Sequence, residues 1–353
     1  MLNWLLIFVP VAVGLRILAP GSYALIFIAS CLAIVPLAGW LGRATEQLAQ
    51  YTGEGIGGLL NATFGNAAEL IIAVMALHRG IYPVVKASLT GSIIGNLLLV
   101  LGAAALAGGL RHKEQSFNVT GARAQSTLLT LAAIALVVPA AFHSLAGGTA
   151  RVQEGALSLG IAFVLLFAYG AHLLFSLHTH RQLFAGESPP PGSEPAWSRR
   201  KSILVLAASA ALVAWMSEIL VGSVEPAAES FGMSSVFIGV VVVAVVGNAA
   251  EHSTAVMSAL ENRMEMALGI AIGSSLQIAL FVAPVLVVLS RFIGPAPMDL
   301  VFTPAEVLAV FVSVMIAGQI ASDGKSNWVE GVQLVCVYAI LAIAFYFLPD
   351  TAG

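Results

Sequence analysis

The chain has 353 residues, of which 59% are hydrophobic and only 9% charged, and its formal net charge is −3. Soluble domains carry about 25% charged residues, so this composition excludes an ordinary water-soluble core and indicates a polytopic membrane protein. Helices are the expected spanning elements, because hydrocarbon obliges each backbone N–H and C=O to pair within its own segment. The alternating strands of a membrane barrel are absent.

A run of roughly 20 apolar residues spans a bilayer. On that basis eleven helices are expected, over residues 2–18, 22–42, 56–78, 83–109, 123–142, 154–178, 201–223, 235–260, 265–290, 303–321 and 329–348. The first carries Pro10 and Gly14, and Arg16 follows its apolar run instead of preceding it. It lacks the form of a cleaved signal peptide and is expected to remain as a spanning helix. Cys31 and Cys336 sit in apolar stretches without metal-ligand neighbours or CxxC spacing, and read as packing residues.

One long connection interrupts the apolar pattern. Thr179–Arg200, with Gly186-Glu187-Ser188-Pro189-Pro190-Pro191-Gly192-Ser193, is too polar and proline-rich for an embedded helix. The expected organisation is an extra helix at 1–20, a first half at 21–178, a cytoplasmic linker at 179–200 and a second half at 201–353. Basic residues set the orientation. Arg43, Arg111, Lys113, Arg123, Arg181, Arg199, Arg200, Lys201, Arg263 and Lys325 fall on the side of the N-terminus; Arg16, Arg79, Lys86, Arg151 and Arg291 fall on the other. The excess places the N-terminus in the cytoplasm and the C-terminus outside.

The halves are marked by a repeated phrase, Gly65-Asn66-Ala67-Ala68-Glu69 and Gly247-Asn248-Ala249-Ala250-Glu251, at a constant offset (247 − 65 = 182). Ile56/Ile238, Gly57/Gly239, Ala62/Ala244, Ala73/Ala255, Val74/Val256, Met75/Met257 and Gly91-Ser92/Gly273-Ser274 keep the same register. This is an internal duplication. The two phrase-bearing helices lie five apart in order, so they cross the membrane in opposite directions, as in the inverted repeats of many secondary transporters.

On a continuous helix, Ala62, Gly65, Asn66, Glu69 and Ala73 share one face, and Ala244, Gly247, Asn248, Glu251 and Ala255 form its twin. Small residues admit a neighbouring backbone; Asn and Glu offer oxygen ligands. Two carboxylates and two amide carbonyls suit a hard divalent cation such as Ca²⁺, and no Cys or His pair offers a softer site. A charge at the bilayer centre costs from about 3 to over 10 kcal/mol, so glutamates at matched depths need a cation or protons beside them. That alternation is the core of a cation/proton exchanger, whereas polar glue between helices would leave the duplication unexplained. Ser92 with Asn96, and Ser274 with Gln277, lie on the following helices as further oxygen donors or as packing residues. The repeat is imperfect at Leu70/His252: the histidine beside Glu251 either tunes proton affinity or bonds a neighbouring helix. Glu218 reads as vestibular or interfacial, and Asp323 and Glu330 as loop or cap residues.

Asn61-Ala62-Thr63-Phe64-Gly65-Asn66-Ala67-Ala68-Glu69-Leu70-Ile71 and Val246-Gly247-Asn248-Ala249-Ala250-Glu251-His252 resemble the two signature repeats of the Ca²⁺/H⁺ antiporters, the CAX branch of the cation/Ca²⁺ exchanger superfamily. The segments beginning at Gly91-Ser92 and Gly273-Ser274 are also similar to that family's. The resemblance implies an all-α fold with one extra N-terminal helix and two inverted five-helix repeats. It implies Glu69 and Glu251 as cation and proton carriers, with Asn66, Asn248, Asn96 and Gln277, and also Ser92 and Ser274, near the site. The linker departs from the family's acidic segment, holding only Glu187 and Glu194. The expected function is export of Ca²⁺ from the cytoplasm against H⁺ across a prokaryotic inner membrane, with Ca²⁺ as substrate and no cofactor. A Na⁺/Ca²⁺ exchanger of the same fold and a passive cation channel are the alternatives. No nucleophile–base pair suggests an enzyme. The expected partners are Ca²⁺, H⁺ and the lipid bilayer, not nucleic acid, and a homo-oligomer stays open.

Overall fold

The computed structural model describes residues 2–146, 151–180 and 196–348, without the side chains of residues 53–55, 62, 151 and 152. In chain order the described elements are α1 (Asn3–Leu18), α2 (Tyr23–Phe64), α3 (Ala67–His78), α4 (Tyr82–His112), β1 (Glu114–Ser116), α5 (Val119–Ala146) and α6 (Arg151–Leu174). Then come α7 (Arg199–Phe231), α8 (Ser235–Gly247), α9 (Ala249–Leu260), α10 (Met264–Leu289), α11 (Pro304–Ile320), β2 (Lys325–Asn327) and α12 (Trp328–Phe347). Among the described residues seven helices are long and apolar enough to cross a membrane, or eight if the bent pair α8–α9 is one span. Length and composition therefore return fewer full spans than the eleven expected, because α1, α3 and α11 are shorter apolar helices. Most of the proline-rich linker, with Glu187 and Glu194, lies outside the described residues.

Two expectations about single helices need correction. The helix expected to end at residue 42 continues in helical hydrogen bonding to Phe64. It is not straight. A Cβ on Gly57 would lie 2.6 Å from the Ala49 carbonyl oxygen, although residues eight apart on a straight helix are about 12 Å apart. The axis turns between Ala49 and Gly57, where the missing Cβ of Gly57 lets the backbone approach itself. The helices expected to run unbroken over 56–78 and 235–260 are instead interrupted at Asn66 and Asn248.

The chain forms two compact units, and each draws on both copies of the repeat. One comprises Met1–Ser88, Glu187–Ala250 and Tyr346–Gly353; the other comprises Leu89–Gly186 and Glu251–Phe345. In the first, α2 lies along α7, and Ile34, Leu41, Met216, Leu220 and Ile238 are fully buried in one apolar core. The linker re-enters it through Trp197. Its ring stacks on Trp40 at 5.7 Å and lies beneath the Arg43 and Lys201 cations. Its backbone N–H donates to Gln47 Oε1, and its carbonyl accepts from the Tyr51 hydroxyl. Four side chains on α2 thus hold one residue of the incoming chain.

In the second unit α4 crosses α12 glycine on glycine. A Cβ on Gly331 would meet Leu106 N at 2.3 Å and Gly102 O at 2.7 Å. β1 and β2 pair antiparallel, with Gln115 opposite Ser326. Gln115 Nε2 donates to the Ala259 carbonyl and His112 Nε2 meets the Leu260 carbonyl, so the last turn of α9 has partners for its free carbonyls. At the strand ends Glu114 lies 2.9 Å from Lys325 and holds that ammonium above its ordinary pKa range. Asn327 and Glu330 cap α12 reciprocally, and Asp323 accepts from the Lys325 N–H, in keeping with their reading as loop and cap residues.

Buried hydroxyls follow the rule that hydrocarbon imposes. Ser30, Thr45, Ser275 and Ser313 each donate to the carbonyl four residues back on their own helix. Outward faces carry large apolar side chains, such as Phe163 and Phe167 on α6 and Ile340, Ile343 and Phe347 on α12. Patches of this kind suit contact with lipid.

Candidate cation-transport site

The repeated phrase breaks its own helix in both copies. Asn66 has φ −96° and ψ 30°, and Asn248 has φ −94° and ψ 6°, both outside the helical range of their neighbours. Asparagine suits such a point because its side chain competes with the helix for backbone partners. Asn248 Nδ2 donates to the Ala244 carbonyl at 2.8 Å, beside its own backbone N–H at 3.2 Å, so both donors of one residue close the end of α8. The span α8–α9 bends there by 62°.

After each break a new helix starts, and each signature glutamate falls in its first turn: Glu69 in α3 and Glu251 in α9. The N–H groups of a first turn and the positive end of the helix dipole favour a carboxylate at that position. The preceding half-helices end in carbonyls, the oxygen type that hard cations take. Residues 62–73 and 244–255, expected as two continuous helical faces, are therefore each divided at the break. Half-helix ends take their place.

In the first unit lie Asn66, Glu69 and Asn248, all buried. Gly247 of the second copy lies against Glu69 of the first: a Cβ there would stand 3.2 Å from Glu69 Cγ and 3.5 Å from Oε1. In the second unit lie Ser92, Asn96, Glu251, His252, Ser274 and Gln277. Asn96 Nδ2 donates to Ser274 Oγ at 3.1 Å, and the Ser274 hydroxyl hydrogen-bonds the Glu251 carboxylate. Copy one and copy two again meet directly. Ser92, Asn96 and Ser274 are buried, whereas Glu251, His252 and Gln277 are half-buried. Glu251 Oε2 and His252 Nε2 are buried atoms without a hydrogen-bond partner among the described residues. Among those residues no group of three His, Cys, Asp or Glu side chains is placed to hold a metal ion. Carboxylates with amide, hydroxyl and backbone oxygens are the donors present.

Nothing in the residue pattern points to the π turns. α4 carries one at Gly95–Val100 and α10 one at Ile278–Val282, at nearly the same repeat position (278 − 95 = 183) and beginning beside Asn96 and Gln277. π turns recur at functional sites. Sequence reasoning also missed Glu306. It is buried in the first turn of α11 and accepts from Thr90 on α4. The phrase Thr303-Pro304-Ala305-Glu306 carries a capping-box signature that could have drawn notice to it. Glu218 is half-exposed, between Arg79 at 3.6 Å and Arg16 at 3.9 Å.

Discontinuous apolar helices with a carboxylate just past each break define a polytopic membrane protein of the secondary-transporter kind. The chain belongs to the family described as sodium/calcium exchanger protein, which matches residues 22–178 and 201–347. It is 46% identical to the Ca(2+)/H(+) antiporter of Synechocystis sp., across 98% of this chain and 96% of that protein. It is likewise 46% identical to the Ca(2+)/H(+) antiporter ChaA of Bacillus subtilis, across 97% of this chain and 99% of that one. Among solved structures it is similar to native YfkE, with TM-score 0.83 and 43% identity, covering 98% of this chain and 100% of that one. The H+/Ca2+ exchanger CAX shares the fold, with TM-score 0.73 at 16% identity over 97% of this chain and 90% of that one.

Proposed function

We propose that this integral membrane protein is a secondary antiporter that exports Ca²⁺ from the cytoplasm in exchange for H⁺. Glu69 and Glu251 bind cation and proton in alternation. The observation that carries this reading is the matched placement of both carboxylates in the first turn after a helix break, once in each copy. Its support from relatives is that proteins 46% identical over nearly their whole length are named Ca²⁺/H⁺ antiporters.

The chemistry follows from the cost of charge in hydrocarbon. An ionised carboxylate there needs a counter-charge, which Ca²⁺ supplies when the protein is loaded and H⁺ supplies when it is not. Either state leaves the helices free to change facing, while the empty ionised state is penalised, and this penalty couples the two fluxes. Asn66 and Asn248 add amide oxygens, and Ser274 and Asn96 hold the Glu251 carboxylate in place. The N-terminus is cytoplasmic and the membrane is a prokaryotic inner membrane.

In proteoliposomes a proton gradient drives uptake of radiolabelled Ca²⁺, and Glu69→Gln or Glu251→Gln abolishes it. Full transport by either variant rejects the site. Uptake driven by a sodium gradient at fixed pH instead assigns the counter-ion to Na⁺.

A further inference from the structure

Glu306 is a carboxylate that the transport cycle above does not use, yet it is only 2% exposed. Its Oε2 accepts from the Thr303 backbone N–H at 2.9 Å and the Thr303 hydroxyl at 2.8 Å, closing a capping box at the start of α11. A capping box needs one oxygen. The other, Oε1, accepts from Thr90 Oγ1 on α4 at 3.1 Å. Thr90 is itself 1% exposed and stands two residues before Ser92.

The place of that bond on α4 gives it a consequence. α4 is an α-helix up to Ile94, then a π turn over Gly95–Val100, then an α-helix again. A π turn is an inserted residue, and an α-helix turns about 100° per residue. Losing or shifting the insertion would rotate the segment bearing Ser92 by about that angle relative to the helix beyond Val100. Two side-chain bonds flank the point where slippage would occur: Thr90 to Glu306 before the π turn, and Asn96 to Ser274 within it. Ser274 in turn holds Glu251.

Among the described residues the second copy shows no such outer anchor at the matching positions. Ile272 stands where Thr90 does (90 + 182 = 272), and the first turn of α5 contains no acidic residue to correspond with Glu306.

We propose that Glu306, acting through Thr90, is a positioning residue for cation binding: it fixes the rotational phase of the α4 segment carrying Ser92 and Asn96, and so sets the affinity for Ca²⁺. This rests on the reading of the Glu251 cluster as part of the transport site.

Thr90→Val is the cleaner variant, because it removes the link and leaves the capping box of α11 intact. Proton-driven Ca²⁺ uptake in proteoliposomes should show an apparent KM raised about tenfold, as for one lost buried bond to a carboxylate, with little change in maximal rate. Thr90→Ser, which keeps the hydroxyl, retains the wild-type KM. Glu306→Ala raises KM to a similar degree, and the double variant Thr90→Val/Glu306→Ala is no worse than the stronger single one. An unchanged KM in folded Thr90→Val, a shifted KM in Thr90→Ser, or multiplied effects in the double variant overturn the proposal. Glu251→Gln run alongside separates the two readings. Lost transport there, with an unchanged KM in Thr90→Val, rejects only the positioning role; retained transport in Glu251→Gln rejects the site itself.

Discussion

At the scale of single residues, Gly247 leaves room for the Glu69 carboxylate. A methyl group there would come within 3.2 Å of Glu69 Cγ, so the side chain would have to yield by a few tenths of an ångström. Gly247→Ala is expected to raise the KM for Ca²⁺ a few-fold while the protein still folds, and Gly247→Val to do so more strongly. Uptake kinetics on both variants check this; equal KM values for wild type and Gly247→Val would contradict it. The carboxylates and asparagines of the candidate site are legible in the sequence, because ionisable residues in apolar runs stand out and the duplication matches them. Thr90 and Glu306 are not. Threonine is an ordinary residue in a spanning helix, and Glu306 sits so near a helix start that it reads as a cap, which it also is.

At the scale of elements, apolar run length located the helices but not their interruptions. Asn66 and Asn248 break helices from within apolar runs, each between a glycine and two alanines, and periodicity cannot show where hydrogen bonding stops. The reverse holds between the helices expected at 22–42 and 56–78, where the backbone stays helical and is anchored through Gln47 and Tyr51 to Trp197. Elsewhere glycine fixes how closely helices approach. Where α4 crosses α12, a Cβ on Gly331 would strike backbone atoms of Leu106 and Gly102, which cannot swing aside as a side chain would. Gly331→Ala should therefore destabilise the protein by about 1–3 kcal/mol through overpacking. Thermal unfolding in detergent reads this directly, and an unchanged midpoint would show that the crossing is looser than the contacts imply.

At the scale of the whole molecule, sequence order and compactness divide the chain differently. The duplication runs along the sequence, while each compact unit takes helices from both copies, with Glu69 in one unit and Glu251 in the other. Pattern reading recovers the first division because it compares residues at a fixed offset. It misses the second, which depends on which helices touch. Orientation is testable at this scale. With Cys31 and Cys336 replaced, a cysteine at Lys325 should react with a membrane-impermeant thiol reagent from the cytoplasmic side and one at Arg291 from the outside. The reverse pattern would invert the topology.

The unmatched bond between Thr90 and Glu306 also bears on how such a chain can have arisen. Thr90 and Glu306 occupy different positions of the repeat, so two identical halves carrying both residues would form the bond twice, once from each half to the other. This chain keeps the threonine in one half and the glutamate in the other, with Ile272 and Ala124 at the matching positions, so neither half can serve as both. A gene built from two first halves would encode Thr90 twice and Glu306 not at all, so the divergence of the copies is held in place by the contact they share.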